Sequence, residues 1–171
     1  MLLAHRIRLE PSLAQRDYFT RAAGTARRVW NWALAEWQRQ LALGLRPNAM
    51  ALKKRFNCIK YSDPDWLDEH GQPWLRTIHR DAHAQPFANL ARAWACYFEQ
   101  RRAGQPAHPP RFKKKGRCRD SFYLANGASC KTHEELSHQK WHETCCITSS
   151  SLSVGLDWQR SGAEAPRQST L

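Results

Sequence analysis

The stretch SLAQRDYFTRAAGTARRVWNWALAEWQRQLALG, residues 12–44, carries the strongest secondary-structure signals in the chain. Ser12 followed three residues later by Gln15 is a capping box, which begins a helix. Gly24 is suited to end that helix, and Thr25 is suited to cap a second one. Apolar residues then recur at helical spacing, namely Val29, Trp30, Ala33, Trp37 and Leu41. The stretch therefore predicts two helices joined at Gly24-Thr25 as a helix-turn-helix-like pair.

Two segments beyond this pair have a helical pattern. Residues 50–58 predict a short basic helix. The apolar stripe over residues 87–98 predicts a long helix, which follows a helical segment over residues 78–85 and ends at Gly104. Pro86 either kinks this helix or begins a new one, because proline costs little in a first helical turn.

Short strands are predicted where polar and apolar residues alternate. Residues 5–10 form one such segment, and residues 120–124 form another before a turn at Asn126-Gly127. An apolar island at residues 152–156 suits a further short strand. The predicted fold class is therefore mainly α with a few short β-strands.

Positive charge is concentrated in the first three quarters of the chain. The 171 residues include 27 Lys and Arg against 15 Asp and Glu, a formal net charge of +12. Residues 1–127 hold 23 of the cations and 10 of the acids, whereas residues 128–171 hold 4 and 5. Self-repulsion of so much like charge is usually relieved by a polyanionic partner. We therefore predict nucleic acid as the partner, and neither a membrane nor a small-molecule substrate.

The same division predicts two regions. Residues 1–127 are predicted to form the nucleic-acid-binding region. Residues 128–171 are rich in serine and lack a helical or strand period, so they are predicted to be a divergent, disordered tail, as a frameshift or internal deletion would leave. No apolar run suits a signal peptide or a membrane span, which predicts a soluble, cytoplasmic protein.

The densest basic cluster is RFKKKGRCR, residues 111–119. Cations around a glycine can follow a phosphate backbone without reading its sequence. Phe112 can either anchor this segment in the core or stack on a base. The nucleic-acid-binding residues predicted here are Arg111, Lys113, Lys114, Lys115, Arg117 and Arg119. The alternative is a solvated charge run that has no partner.

A smaller candidate surface lies at the start of the predicted second helix. Arg27 and Arg28 can pair with phosphates, and the Asn31 amide can reach a base edge or a 2′-hydroxyl. A capping or core role is an equal alternative for Asn31. The aromatic residues at helical spacing are predicted to pack in the core rather than stack on bases; these are Trp30, Trp32, Trp37, Trp74, Trp94, Tyr97 and Phe98.

The sequence predicts no catalytic residue, no metal and no cofactor. We find no paired carboxylates, no nucleophile constellation and no glycine-rich phosphate loop. Two Cys/His pairs, at residues 130–133 and 142–145, have the ligand types of a zinc site. The eight residues between them are fewer than a zinc finger usually has.

Several ordered motifs resemble the N-terminal region of the TnpB (OrfB) insertion-sequence proteins. They begin with HRIRLEPS at residues 5–12, followed by Gly24, Arg27 and VWNWAL at residues 29–34. They continue through Phe87-x2-Leu90-x2-Ala93-x4-Phe98, through PRFKKK at residues 110–115, and into Asp120-Ser121-Phe122. The resemblance covers about residues 5–126.

The resemblance implies a transposon-associated, RNA-guided DNA endonuclease whose first portion holds guide RNA and target duplex. In that family, catalysis belongs to a RuvC-like domain further along, which uses three separated acids and divalent metal. Val154-Gly155-Leu156-Asp157 is similar to the opening of a RuvC strand, but no second or third acid follows in a comparable setting.

The resemblance thus implies a truncated transposase-like protein that binds duplex DNA or structured guide RNA and does not cut it. Two alternatives remain. One is a free-standing helix-turn-helix regulator that reads duplex DNA, and the other is a non-functional, decayed transposon product.

Overall fold

A computed structural model describes residues 11–124 and the backbone of residues 152–155. Three α-helices and two strands are seen: α1 Leu13–Ala42, α2 Ala49–Ile59, α3 Arg80–Arg102, β1 Ser121–Leu124 and β2 Leu152–Gly155. Short 3-10 helices cover Pro64–Trp66 and Trp74–Thr77. The predicted class, mainly α with a few short strands, is confirmed. The strand predicted over residues 5–10 and most of the predicted tail lie outside the described residues.

Helix α1 shows that the predicted break at Gly24-Thr25 is wrong. The capping box is present, with the Ser12 amide donating to Gln15 Oε1 at 2.6 Å. The helix then continues for 30 residues without interruption. Thr25 Oγ1 donates to the Arg21 carbonyl at 2.9 Å instead of capping a new helix. Over Leu13–Ala42, the predicted helix-turn-helix-like pair is therefore one helix.

Tertiary packing explains why Gly24 does not end the helix. Its neighbours Ala22, Ala23 and Thr25 are buried, so a turn here would expose them. A glycine inside a helix costs about 1 kcal/mol relative to alanine. The same continuous helix buries Phe19 before Gly24 and Val29 after it. Burying one such side chain contributes about 1.5–3 kcal/mol, which is more than that cost. The packing of this segment therefore outweighs the local preference of glycine.

The next glycine does end the helix. Gly44 has a φ of 73°, the left-handed conformation that glycine adopts without strain. The Leu45 amide donates to the Gln40 carbonyl at 3.0 Å, and the Gly44 amide donates to the Leu41 carbonyl at 2.9 Å. These two bonds form a Schellman motif, which satisfies carbonyls that the helix leaves open.

Helix α3 is continuous through Pro86, so no new helix begins at that residue. The His79 side chain caps its start, with Nδ1 accepting from the Asp81 amide at 3.3 Å. Basic Arg101 and Arg102 occupy its last turn, where they favour the negative end of the helix dipole. The long predicted helix is confirmed, and it starts at Arg80 rather than beyond the proline.

The main core lies between the three helices and contains most of the aromatic residues that the structure describes. Trp30, Trp37 and Trp94 are buried, as the helical spacing predicts. The rings of Trp37 and Trp94 stack with centroids 5.7 Å apart. Trp32, Trp74 and Tyr97 are partly buried against this core. Phe98 packs on Trp94 but stays 43% exposed, so the prediction of core packing holds only in part for it.

A second, smaller core joins β1 to the first half of α1. Phe122 is buried, and its ring lies 5.6 Å from that of Phe19, centroid to centroid. β1 pairs with β2 in antiparallel register, with Ser121 opposite Gly155 and Leu124 opposite Leu152. The strand predicted near residues 120–124 and the apolar island at residues 152–156 are thus both confirmed as strands. Because Phe122 is anchored on α1, the segment between α3 and β1 is fixed at both of its ends.

Candidate nucleic-acid interface

The basic loop, residues 103–120, connects α3 to β1 and is attached to α1 at residues 111, 113 and 120. The Trp30 indole donates through Nε1 to the Arg111 carbonyl at 3.0 Å. The Asn31 amide makes two bonds to Lys113, with Nδ2 donating to the carbonyl at 2.9 Å and Oδ1 accepting from the backbone amide at 2.8 Å. These three bonds fix the backbone of residues 111–113 against the helix. The contacts of Asn31 are those of its alternative, core-satisfying role.

Lys113 is turned toward the protein. Its ammonium nitrogen lies 4.5 Å from the centroid of the Trp30 ring, in a cation–π contact. Burial lowers the pKa of Lys113, nearby Cys118 opposes this shift, and the charge of Arg27 adds to it. Lys113 is therefore held by the fold and is less accessible to a phosphate than its neighbours.

Arg27 attaches the C-terminal end of the loop to α1. It forms an ion pair with Asp120, and the two side chains are only 17% and 10% exposed. Asp120 ends a run of twenty residues, 100–119, that contains no acid. The pair therefore ties the loop to α1 at the point where β1 begins. Arg27, Asn31 and Lys113 together form what we call the inner face of the loop.

Arg28 lies apart from these residues, on an exposed side of α1. Its guanidinium carbon is 5.1 Å from the centroid of the Trp66 ring and 5.5 Å from that of Trp74. It also donates to the Asp65 carbonyl. The structure thus does not bring Arg28 to the basic loop, although the sequence placed it beside Arg27.

The outer face of the loop consists of Lys114, Lys115 and Arg117, which are exposed on a tight turn. The amides of Arg117 and Cys118 both donate to the Lys114 carbonyl at 3.2 Å, and Gly116 has a φ of 77°. Within residues 11–124, none of these three cations is ion-paired. Exposed Arg111 and Arg119 flank the same turn. This face presents concentrated positive charge to solvent from a backbone that is held in place.

Sequence reasoning missed the anchoring role of Trp30. Its ring was correctly assigned to the core, but its indole N–H is what holds Arg111. The amphipathic nature of tryptophan, an apolar body with one donor, is the only signal that pointed to such a bond. The carbonyl it contacts is 81 positions away, so the partner could not be identified.

Two further properties concern only the part of the chain that the structure describes. No group of three or more His, Cys, Asp or Glu side chains there is placed to hold a metal ion. The Cys/His pairs at residues 130–133 and 142–145, and Asp157, lie outside it. No helix in this part is long and apolar enough to cross a membrane.

Comparison with known proteins defines the class of the first segment. Residues 1–45 match the family model of the helix-turn-helix domain of the OrfB/IS605 type. The start of the chain is thus similar to this domain, and the resemblance that its motifs predict is confirmed. Most of the matched segment is α1, which has no turn between Leu13 and Ala42.

Two relatives extend the similarity beyond this domain. Proteins from Mycobacterium tuberculosis strains CDC 1551 and H37Rv, each named "Putative RNA-guided DNA endonuclease", are 29% identical to the chain over 136 residues. The match covers 73% of this chain and 29% of each relative. The chain therefore spans less than a third of the length of these relatives.

Proposed function

We propose that residues 11–124 form a nucleic-acid-binding module of a transposase-type protein, and that the outer face of the basic loop contacts the phosphate backbone. The observation that carries the proposal is the attachment of the loop to α1 by Trp30, Asn31 and Arg27. A solvated charge run needs no such attachment. Cations on a backbone that is already ordered lose less conformational entropy when they bind a phosphate.

The chemistry of this face favours binding that depends on salt and little on sequence. Lysine and arginine on an exposed turn neutralise phosphates and release condensed counterions. Contacts to phosphates position a protein on its nucleic acid without reading bases. We expect a log–log slope of affinity against salt on the order of −4 to −8. The ligand we propose is structured guide RNA or duplex DNA, by analogy with the activity that the relatives are named for.

We propose binding and not cleavage as the role of these residues. The charged side chains on the outer face of the loop are cations, which are suited to hold phosphates. Hydrolysis by a two-metal mechanism needs clustered carboxylates instead. Incubation of the protein with Mg²⁺, a guide RNA and a target duplex should therefore leave the duplex intact on a denaturing gel.

The alternative of a free-standing helix-turn-helix regulator has less support. Such a protein places a separate recognition helix in the major groove, after a turn from a preceding helix. Here α1 is continuous, and its Trp30 and Trp37 side is buried in the core. The buried core likewise argues against a decayed product that does not fold, and a cooperative thermal transition would be the direct check.

The experiment compares two triple variants of equal net charge. The loop variant carries Lys114→Gln, Lys115→Gln and Arg117→Gln. The control variant carries Arg46→Gln, Lys54→Gln and Arg92→Gln, which remove three exposed cations elsewhere. Affinity for a short RNA hairpin and a short DNA duplex is measured by fluorescence anisotropy between about 50 and 200 mM salt.

The loop variant should lose most of its affinity at low salt, and its salt slope should be flatter by about 2 to 3. The control variant should remain close to the unmodified protein. Equal behaviour of the two variants would contradict the proposal, because total charge and not the loop would then govern binding.

A further inference from the structure

Gly24 has no structural need to be a glycine. It lies inside α1, outside the left-handed region of φ that favours glycine. A Cβ placed there would meet no atom closer than Nη2 of Arg27, at 3.8 Å, which is an ordinary van der Waals contact. Alanine would therefore fit and would favour the helix. What glycine provides at this position is open space above the helix backbone.

That space belongs to a cleft of about 360 Å³ beside α1. One wall comes from α1, where Gly24 lies between the arginines at positions 21 and 28. These residues recur at spacings of three and four, so they share one face of the helix. The other wall comes from the segment that contains the second 3-10 helix. The remaining lining residues are Thr25, Trp74, Thr77 and Ile78.

The lining is cationic and contains no carboxylate. Arg28 is positioned by the Asp65 carbonyl and by two indole rings, which leaves other N–H donors of its guanidinium group free of these contacts. Arg21 Nε contacts Asp17 at 3.0 Å, but both side chains are more than half exposed. An exposed pair of this kind is weak and is readily replaced by a stronger anion. The cleft is therefore suited to an oxyanion.

The cleft and the residue that holds the basic loop lie on one side of α1. Asn31, which holds the loop, is seven residues beyond Gly24 and so lies on the same side of α1. Two helical turns, about 10 Å, separate the two positions along the axis. A polyanion that follows this side of the helix can reach both the outer face of the loop and the cleft.

We propose that the cleft binds a phosphodiester group of the nucleic-acid chain that the basic loop holds. The two arginines contact the phosphate oxygens, and the bare backbone at Gly24 lets the strand approach the helix. This inference rests on the proposed function, since the loop supplies the rest of the polyanion.

Two variants of the full chain test the cleft. Gly24→Ala places a methyl group on its floor, and it should keep or raise the melting temperature by about 2–4 °C. Its affinity for the RNA hairpin or the DNA duplex should nevertheless fall roughly tenfold, as expected when one charge-assisted contact is lost. Arg21→Gln should show a similar loss and a salt slope flatter by about 0.9. Arg92→Gln is the matched control, and should bind like the unmodified protein.

The outcomes separate this inference from the proposed function. If Gly24→Ala and Arg21→Gln both bind like Arg92→Gln while the loop variant is weakened, the cleft inference is overturned and the proposed function stands. If none of these variants is weakened, both are overturned.

Discussion

The inner and outer faces of the basic loop differ in what their cations contact. On the inner face, Lys113 lies over an indole ring and Arg27 is paired with Asp120. On the outer face, Lys114, Lys115 and Arg117 extend into solvent from a tight turn. The comparison shows that the cations of one basic segment can have two roles. Some attach the loop to the protein, and others remain exposed and available to bind a partner.

The largest expected effect comes from detaching the inner face. Asn31→Ala leaves the amide and the carbonyl of Lys113 without their partner. The free energy of unfolding should fall by about 1–3 kcal/mol, because partly buried polar groups lose their hydrogen bonds. Urea denaturation of the full chain provides the measurement. Gln38→Ala, an exposed position on the same helix, should change it by less than about 0.5 kcal/mol.

Affinity offers a second readout for the same variant. If the loop must be held in place to bind, Asn31→Ala should also weaken nucleic-acid binding although the outer cations are intact. Unchanged stability together with unchanged affinity would mean that the inner face does not hold the loop.

A third group of cations differs from the outer face of the loop, because its members are ion-paired with a buried carboxylate. Arg39 and Arg55 both pair with Glu36, with Arg39 Nη2 at 2.7 Å from Oε1. Hydrogen bonds from Arg39, opposed by burial and assisted by Gln40 and Arg55, lower the pKa of Glu36 from 4.5 to about 2. A carboxyl group whose pKa is lower in the folded protein stabilises the fold at pH values above its pKa in the unfolded chain. This stability is lost as the pH falls through its pKa in the folded protein.

Stability should therefore decrease as the pH falls from 4.5 toward about 2. Glu36→Gln removes the titrating group, so its urea midpoint should change less over that window than that of the unmodified protein. If the stability of the two proteins falls equally with pH, Glu36 is not the group responsible for the loss.

The smallest effect should come from a matched pair of neighbouring lysines. Lys114→Gln removes an outer cation, so the salt slope of binding should become flatter by about 0.9. Lys113→Gln removes an inner cation over Trp30, and the slope should change by less than half as much. Salt titrations of the two single variants by anisotropy give the comparison. A larger change in slope for Lys113→Gln than for Lys114→Gln would contradict the assignment of Lys113 to the inner face and Lys114 to the outer face.

The periodic features of the fold could be predicted from the sequence. The capping box, the apolar stripes and the aromatic core follow from local spacing, and they hold in α1 and α3. The break at Gly24 was predicted wrongly because a local glycine signal competes with the burial of Ala22, Ala23 and Thr25, which only the folded chain reveals.

The candidate interface could be predicted only in part. Composition identified the basic loop, but its division into two faces depends on contacts between distant positions. Asn31 and Lys113 are separated by 82 positions, and Arg27 and Asp120 by 93. No local pattern encodes such pairings. The surroundings of Gly24 were hidden for the same reason, since the wall opposite α1 comes from residues 74–78.

Residue-resolved hydrogen exchange, with and without a short RNA hairpin, tests the central claim most directly. In the free protein the Lys113 amide, which donates to Asn31 Oδ1, should already be protected. On binding, new protection should appear at residues 114–117. Exchange of the Lys113 amide at the rate of an unstructured chain, or new protection confined to residues outside the loop and the cleft, would contradict the account.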